Sequence, residues 1–207
     1  MITTVYLIRH GKTVGGEEKR YKGHLDVPLS EEGIEQARRL ADYLGQKNNP
    51  GDTGANLGAV YCSDLVRAVK SAEIIARPFG VTPVRVLQLR ERNFGRWEGM
   101  SFTEIREQFP VEFDAWANDP VRYSPMGGES TETVRDRVVP VFSEVVKKHA
   151  GQAVAIVSHG GITRIILCEV LGIPLRNIFR IEQNFGCLNR IEYHDDLPVV
   201  KALNYTV

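Results

Sequence analysis

Three scarcities bound the reading of this 207-residue chain. Charge of one sign is missing: 26 lysines and arginines cancel 26 aspartates and glutamates, so the formal net charge is zero. A protein that coats nucleic acid or an anionic membrane needs a broad basic face, and neutrality argues against both partners. Cysteine is also scarce, with Cys62, Cys168 and Cys187 making an odd total and no C-x-x-C spacing. That argues against a secreted disulfide framework and a zinc knuckle, and the apolar neighbours of these thiols suit buried structural cysteines. Long hydrophobic runs are absent as well. The stretch from Met1 to Ile8 is apolar, but it lacks a cationic lead-in and is cut short by Arg9-His10. It is too short for a secretion leader or a membrane span, so the expectation is a soluble, cytoplasmic protein.

The chain does contain short apolar runs alternating with helical patterns. Val5-Tyr6-Leu7-Ile8, Ala59-Val60-Tyr61-Cys62 and Ala153-Val154-Ala155-Ile156-Val157 are continuous rather than alternating. Such runs suit strands covered on both faces, as in a parallel sheet between helices. Ser30 is placed to cap a helix with Glu31 and Glu32 in its first turn and Ile34, Ala37, Leu40, Ala41 and Leu44 facing inward. Gly51 to Gly58 reads as a loop. Ser63 or Asp64 is the expected cap of a second helix reaching about Pro78, with Leu65, Val69, Ala72, Ile75 and Ala76 inward. Val134 to Val146 is helical in pattern, with Pro140 expected to kink or divide it. A further helix runs from Gly161 to about Leu171, and the tail from Ile178 to Leu203 offers extra strands. Residues 1–207 thus read as one α/β domain, a three-layer sandwich with a mostly parallel central sheet and helices on both faces. A polar-aromatic helical insertion at about 100–129 either sits over a site or is a plain surface excursion.

In open α/β sheets, ligands bind beyond the carboxyl ends of the strands. Those ends carry Arg9-His10-Gly11, Ser63-Asp64 and Ser158-His159-Gly160-Gly161, so two of the five histidines sit at the mouth of the sheet. His24, His149 and His194 lie in loop or surface contexts. Three familiar motifs fail. Gly11-Lys12-Thr13 ends like a P-loop, but the required earlier glycine would be Tyr6. Ser158 sits at a strand-to-helix turn, but the leading glycine of G-x-S-x-G would be Ile156. No H-E-x-x-H pattern or Cys/His cluster supplies ligands for a metal. What remains is a histidine between cations. Arg9 adjoins His10, and Arg67 lies about one turn into the second helix. Guanidinium groups bind phosphate oxygens bidentately, and nearby cations keep an imidazole neutral and nucleophilic. Gly11 would let the backbone approach a ligand. Arg-His-Gly alone is weak evidence.

The longer pattern is specific. Leu7-Ile8-Arg9-His10-Gly11-x-Thr13 is followed by Gly23, Asp26, Pro28-Leu29-Ser30, Gly33 and Gln36-Ala37. Then come Ser63-Asp64-Leu65-x-Arg67-Ala68, Leu89-Arg90-Glu91-x-x-Phe94-Gly95-x-Trp97-Glu98-Gly99, Gly127-Gly128-Glu129-Ser130 and Ser158-His159-Gly160-Gly161. In these motifs and their order, the chain resembles the histidine phosphatase superfamily, which includes the cofactor-dependent phosphoglycerate mutases. The resemblance implies that His10 becomes a phosphohistidine. Arg9, Arg67 and His159 would hold the phosphoryl oxygens, with Gly11, Lys12, Thr13, Gly23 and Gly160 contacting substrate. Glu91 would protonate the leaving oxygen and later deprotonate water. A carboxylic acid in that role needs partial burial, with Phe94 and Trp97 as apolar cover. His159 would be protonated or donate a hydrogen bond, and the Gly160 N–H would favour an anion at the start of its helix. No metal or cofactor is implied.

Departures exist. Where the family usually reads Glu-Thr-x-Trp-Asn after Arg-His-Gly, this chain has Lys12-Thr13-Val14-Gly15-Gly16. Lys12 either restores an anion contact or lies in solvent. The short segment between Gly99 and Glu129 resembles the phosphatases of the group, such as the α-ribazole and broad-specificity enzymes, rather than the mutases with their longer insertion. The expectation is hydrolysis of a small phosphorylated metabolite, α-ribazole 5′-phosphate among the candidates. A mutase and a catalytically dead binding module are the alternatives, and a homodimer stays open. Zero net charge is compatible with this, since Arg9, Lys12, Arg67 and His159 can form one small positive pocket while Glu17, Glu18, Glu31 and Glu32 balance the sum.

Overall fold

The three continuous apolar runs become neighbouring strands. In a computed structural model, which describes residues 1–46 and 57–207, β1 (Ile2–Arg9), β2 (Leu57–Cys62), β3 (Val84–Arg85) and β4 (Ala153–Ser158) pair in parallel. The tail adds β5 (Leu188–His194), antiparallel to β1, and β6 (Leu197–Tyr205), antiparallel to β5. The six-stranded order is β3-β2-β4-β1-β5-β6. The loop expected over Gly51 to Gly58 falls mostly outside the described residues. The tail is strand only from Leu188 onward, because residues 175–180 form a 3₁₀ segment.

Strand alternation explains why the runs had to be apolar throughout. Val5, Leu7, Val154 and Ile156 join one core, with Val134, Val138 and Phe142 of α5 (Thr131–Lys148) and Ile162, Ile165 and Ile166 of α6 (Gly160–Leu171). Tyr6, Ile8, Ala155 and Val157 join the other, with Leu40 and Leu44 of α1 (Glu31–Gly45) and Val69, Ala72 and Ile75 of α2 (Val66–Ala76). The result is the expected sheet between two helical layers. Among the described residues, no helix is long and apolar enough to cross a membrane.

Helix ends and breaks test the local reading. Ser30 caps α1 as expected, its hydroxyl accepting from the Gly33 N–H at 3.1 Å. The cap of α2 is a correction. Neither Ser63 nor Asp64 fills that place. Leu65 holds the cap position, and the Asp26 carboxylate, from a distant loop, accepts from the Val66 N–H at 2.7 Å. Asp64 is instead bonded to Arg90 through both oxygens. Pro140 does not divide α5, which runs unbroken for 18 residues. An interior proline costs about 3 kcal/mol. Pro140 sits on the exposed side, while Val134, Val138, Phe142 and Val145 are buried, each contributing roughly 1.5–3 kcal/mol.

His149, expected at the surface, is buried: its Nδ1 donates to Gln152 Oε1 (2.9 Å) and its Nε2 accepts from the Tyr61 hydroxyl (3.0 Å). The three cysteines are free and buried, as their apolar neighbours implied. The insertion is helical, forming α3 (Phe102–Gln108) and α4 (Pro110–Asn118), with a capping box at Ser101 and Glu104.

Candidate active site

Strand register builds the floor of the site. β1 and β4 run side by side with Arg9 opposite Ser158, so the residues that follow, His10 and His159, emerge as neighbours. Their ring centroids are 5.1 Å apart. His10 Nδ1 lies 2.7 Å from the Gly11 carbonyl, which can only accept, so the proton is on Nδ1 and Nε2 keeps its lone pair. Burial, then Arg67 and Arg9, push the His10 pKa well below the ordinary histidine value, so the ring is neutral near pH 7.

His159 carries the opposite tautomer. Arg67 Nε donates to its Nδ1 at 3.3 Å, leaving the proton on Nε2. Burial and then Arg67 hold its pKa well below normal too, so it is a neutral donor rather than an imidazolium. His159 Nε2 and Arg9 Nε are buried donors with no acceptor among the described residues. Orphaned donors in a protein interior are rare and costly, and two on one wall point to an acceptor supplied from outside.

The arginines are fixed by backbone carbonyls. Arg67 gives its terminal nitrogens to the Leu25 and Gly23 carbonyls, both at 2.7 Å. Gly23 has φ +48°, and a Cβ there would run into the Glu98 carboxylate, so this turn needs glycine. Arg9 donates to the Gln183 carbonyl at 2.6 Å, and its guanidinium lies 3.8 Å over the Phe185 ring. Burial brings the Arg9 pKa down to about 10, which leaves it cationic at neutral pH.

Glu91 approaches from a loop. Its carboxylate accepts the Arg92 N–H (2.9 Å) and, at the start of α6, the Gly161 N–H (3.0 Å). The loop itself is held from outside. Arg137 of α5 donates to the carbonyls of Arg90 (2.9 Å) and Glu91 (3.1 Å) while pairing with Glu129 at 2.8 Å. His24 Nε2 donates to the Glu91 carbonyl at 2.9 Å, so His24 is part of this scaffold rather than a bland loop residue.

Arg9, His10, Thr13, Gly23, Arg67, Glu91 and Gly160 line one cleft of about 690 Å³, and His159 lies buried against His10. Gly11 and Lys12 are not brought to it. Gly11 is needed for packing rather than for ligand approach, since a Cβ there would drive into the Gly33 carbonyl of α1. The Lys12 ammonium pairs with Glu17 (3.0 Å) and Glu32 (2.8 Å), so it neither reaches into the cleft nor lies free in solvent. Of the two readings of the insertion, the structure shows it reaching the site: Phe102 and Trp116 line the outer cleft with Tyr21, Phe94 and Phe179.

Sequence reasoning missed Lys22, Arg164 and the Gln183–Phe185 turn, all of which line the cleft. Arg164 was detectable, lying one helical turn beyond Gly160-Gly161. Lys22 adjoins the noted Gly23. The Gln183–Phe185 turn carries no local signal.

Comparisons with known proteins agree with this geometry. Residues 5–206 match the family model of the histidine phosphatase superfamily, branch 1. The chain is 32% identical over 204 residues to phosphoserine phosphatase 1 of Hydrogenobacter thermophilus, covering 97% of this chain and 91% of that protein. It is 33% identical over 171 residues to a metal-independent phosphoserine phosphatase of Arabidopsis thaliana, covering 82% and 69%. The α-ribazole phosphatase structure from Shigella flexneri superposes with a TM-score of 0.84 at 27% identity, covering 98% of this chain and 96% of that one. The β-end histidines, the carbonyl-locked arginines and a match over almost the whole length lead to one conclusion: the chain belongs to the histidine phosphatase superfamily and is a phosphatase of that type.

Proposed function

We propose that the protein, acting as one domain over residues 1–207, hydrolyses phosphate monoesters of small cytoplasmic metabolites through a phosphohistidine, without a metal ion. The observation that carries this reading is the pairing of opposite tautomers: a lone pair on His10 Nε2 beside an unspent N–H on His159 Nε2. One is a nucleophile for phosphorus and the other a donor for a phosphoryl oxygen.

His10 Nε2 attacks phosphorus as the bond to the leaving oxygen breaks. The Glu91 carboxyl gives its proton to that oxygen, and the alcohol departs. In the second half, water attacks the phosphohistidine, Glu91 takes the water proton, the P–N bond breaks and inorganic phosphate leaves. Arg9, Arg67 and His159 stabilise charge on the phosphoryl oxygens throughout, the role a divalent cation fills in other phosphoryl-transfer sites. Thr13, Gly23 and Gly160 frame the phosphate end of the cleft. Among the described residues, no three or more His, Cys, Asp or Glu side chains assemble as a metal site.

The size of the cleft, about 690 Å³, and its aromatic outer wall support α-ribazole 5′-phosphate as one candidate substrate beside smaller phosphorylated metabolites. Phosphate release should survive EDTA and vanish in His10→Ala. Restoration of a chelated, inactive enzyme by zinc or magnesium would overturn the mechanism. Isomerisation of 3-phosphoglycerate without phosphate release would make it a mutase.

A further inference from the structure

The loop that carries Glu91 is clamped by an ion pair that lies outside the cleft. Arg137 sits almost two turns into α5, whose first residue follows the Ser130 cap. Its guanidinium has five N–H groups, and all five are engaged. Nη1 donates to the carbonyls of Gln88 and Arg90 (2.9 Å to the latter), and Nη2 to the Glu91 carbonyl (3.1 Å) and Glu129 Oε2 (2.9 Å). Nε donates to Glu129 Oε1 at 2.8 Å, which completes a two-pronged pair with that carboxylate. Both side chains are only 21% exposed, yet neither is among the described residues that line the cleft.

Glu129 holds the other side of the same loop. Its Oε2 also accepts from the Asn93 N–H at 2.9 Å, and its own N–H donates to the Asn93 carbonyl at 2.8 Å. That close approach accounts for the glycine ahead of it, since a Cβ on Gly128 would lie 2.7 Å from the Asn93 carbonyl oxygen. The main chain is thus fixed at residues 88, 90 and 91 by Arg137 and at residue 93 by Glu129, with the Glu91 side chain between. Of the two N–H groups that the Glu91 carboxylate accepts, that of Arg92 belongs to the loop itself. Placement of the loop therefore decides whether the carboxylate meets the Gly161 N–H and the leaving oxygen. A displacement of one ångström in such a group costs about 10²-fold in rate.

We propose that Arg137 and Glu129 are positioning residues for the general acid, a pair outside the cleft that sets the reach of Glu91 to the leaving oxygen. This rests on the role given to Glu91 above and names the groups that keep it in place. A pair that only stabilised the fold would slow every substrate alike. A pair that acts through Glu91 slows esters whose leaving oxygen needs a proton and spares those whose leaving group departs as an anion.

Steady-state kinetics on glycerol 1-phosphate and p-nitrophenyl phosphate test it, each variant being read as the ratio of its two kcat values. Arg137→Met should lower kcat for glycerol 1-phosphate about 10- to 100-fold more than for p-nitrophenyl phosphate, with KM changed little. Arg137→Lys, with three donors in place of five, should recover part of the loss. Glu129→Gln, which replaces one acceptor oxygen by a donor, should shift the ratio the same way and serves if Arg137→Met does not fold. The ratio is internal to each variant, so partial unfolding does not imitate the shift. Val145→Ala, which removes buried area at the far end of α5, should lower the melting temperature and leave the ratio unmoved. Glu91→Gln should shift the ratio further than Arg137→Met does, and adding Arg137→Met to it should shift it no more. An unchanged ratio in Arg137→Met and Glu129→Gln, an equal shift in Val145→Ala, or full additivity in the double variant overturns the proposal. An unshifted ratio in Glu91→Gln overturns the general-acid role itself, and this proposal with it.

Discussion

The two ends of the cleft are built on different principles. At the phosphate end, His10 and His159 extend from adjacent parallel strands, and each arginine is tied to backbone carbonyls. At the outer end, Phe102, Trp116 and Phe179 come from two short helices and a 3₁₀ segment and meet by ring contacts, Phe102–Trp116 at 5.9 Å and Trp116–Phe179 at 6.2 Å, while Tyr21 packs on Phe94 at 4.6 Å. The inner end holds its side chains by directional hydrogen bonds and so suits bond making. The outer end supplies apolar area with few directional bonds and so suits recognition. Chemistry is concentrated where the sheet ends, and selectivity where the loops begin.

Substitutions at the two ends should therefore separate kcat from KM. His10→Ala has the largest expected effect, lowering phosphate release by roughly four orders of magnitude or more and abolishing an acid-labile, alkali-stable phosphoenzyme in a rapid-quench experiment. Gly161→Ala comes next, since its Cβ would collide with the Glu91 carboxylate. Loss of a positioned general acid costs 10²–10⁴-fold, so kcat for an alkyl phosphate should fall by about 10³. Turnover of p-nitrophenyl phosphate, whose leaving group needs little protonation, should fall far less. Equal losses on both esters would remove Glu91 from its role.

The third effect is on stability. His10 and His159 resist protonation in the folded chain, while the unfolded chain binds protons at both below about pH 6.5. Stability is therefore unaffected by these groups above pH 6.5 and falls as pH drops below it. The slope is about 1.4 kcal/mol per unit for each histidine, until the depressed native pKa values are reached. Urea midpoints at pH 7.0 and 5.5 should show the loss, and His10→Ala should remove about half of that slope. The smallest effect belongs to the outer end: Trp116→Ala should raise KM about tenfold with kcat nearly unchanged. A comparable fall in kcat would dissolve the division between the two ends.

The same division decided what could be read from sequence. Elements whose determinants are local were legible: the apolar runs of β1, β2 and β4, the Ser30 cap, and histidines at strand ends. Features made by distant partners were not. α2 is capped by Asp26 from another loop, α5 tolerates Pro140 because its buried face outweighs one lost bond, and β3 is two residues long and, among the described residues, pairs with β2 alone. Gly11 illustrates a right residue with a wrong reason, since its contact is Gly33, which no short-range pattern reveals. Lys22 and Arg164 were within reach of the sequence, one adjoining Gly23 and the other a turn beyond Gly161, whereas the Gln183–Phe185 turn joins the cleft with no such signal.

The unspent N–H groups of Arg9 and His159 carry a consequence for the working cycle. Neither has a protein acceptor among the described residues, so a tetrahedral oxyanion entering the cleft meets two donors already in place. The released phosphate is such an ion, as is vanadate. Product inhibition is thus inherent in the same two atoms that hold the substrate, and phosphate or vanadate should raise the melting temperature of the enzyme.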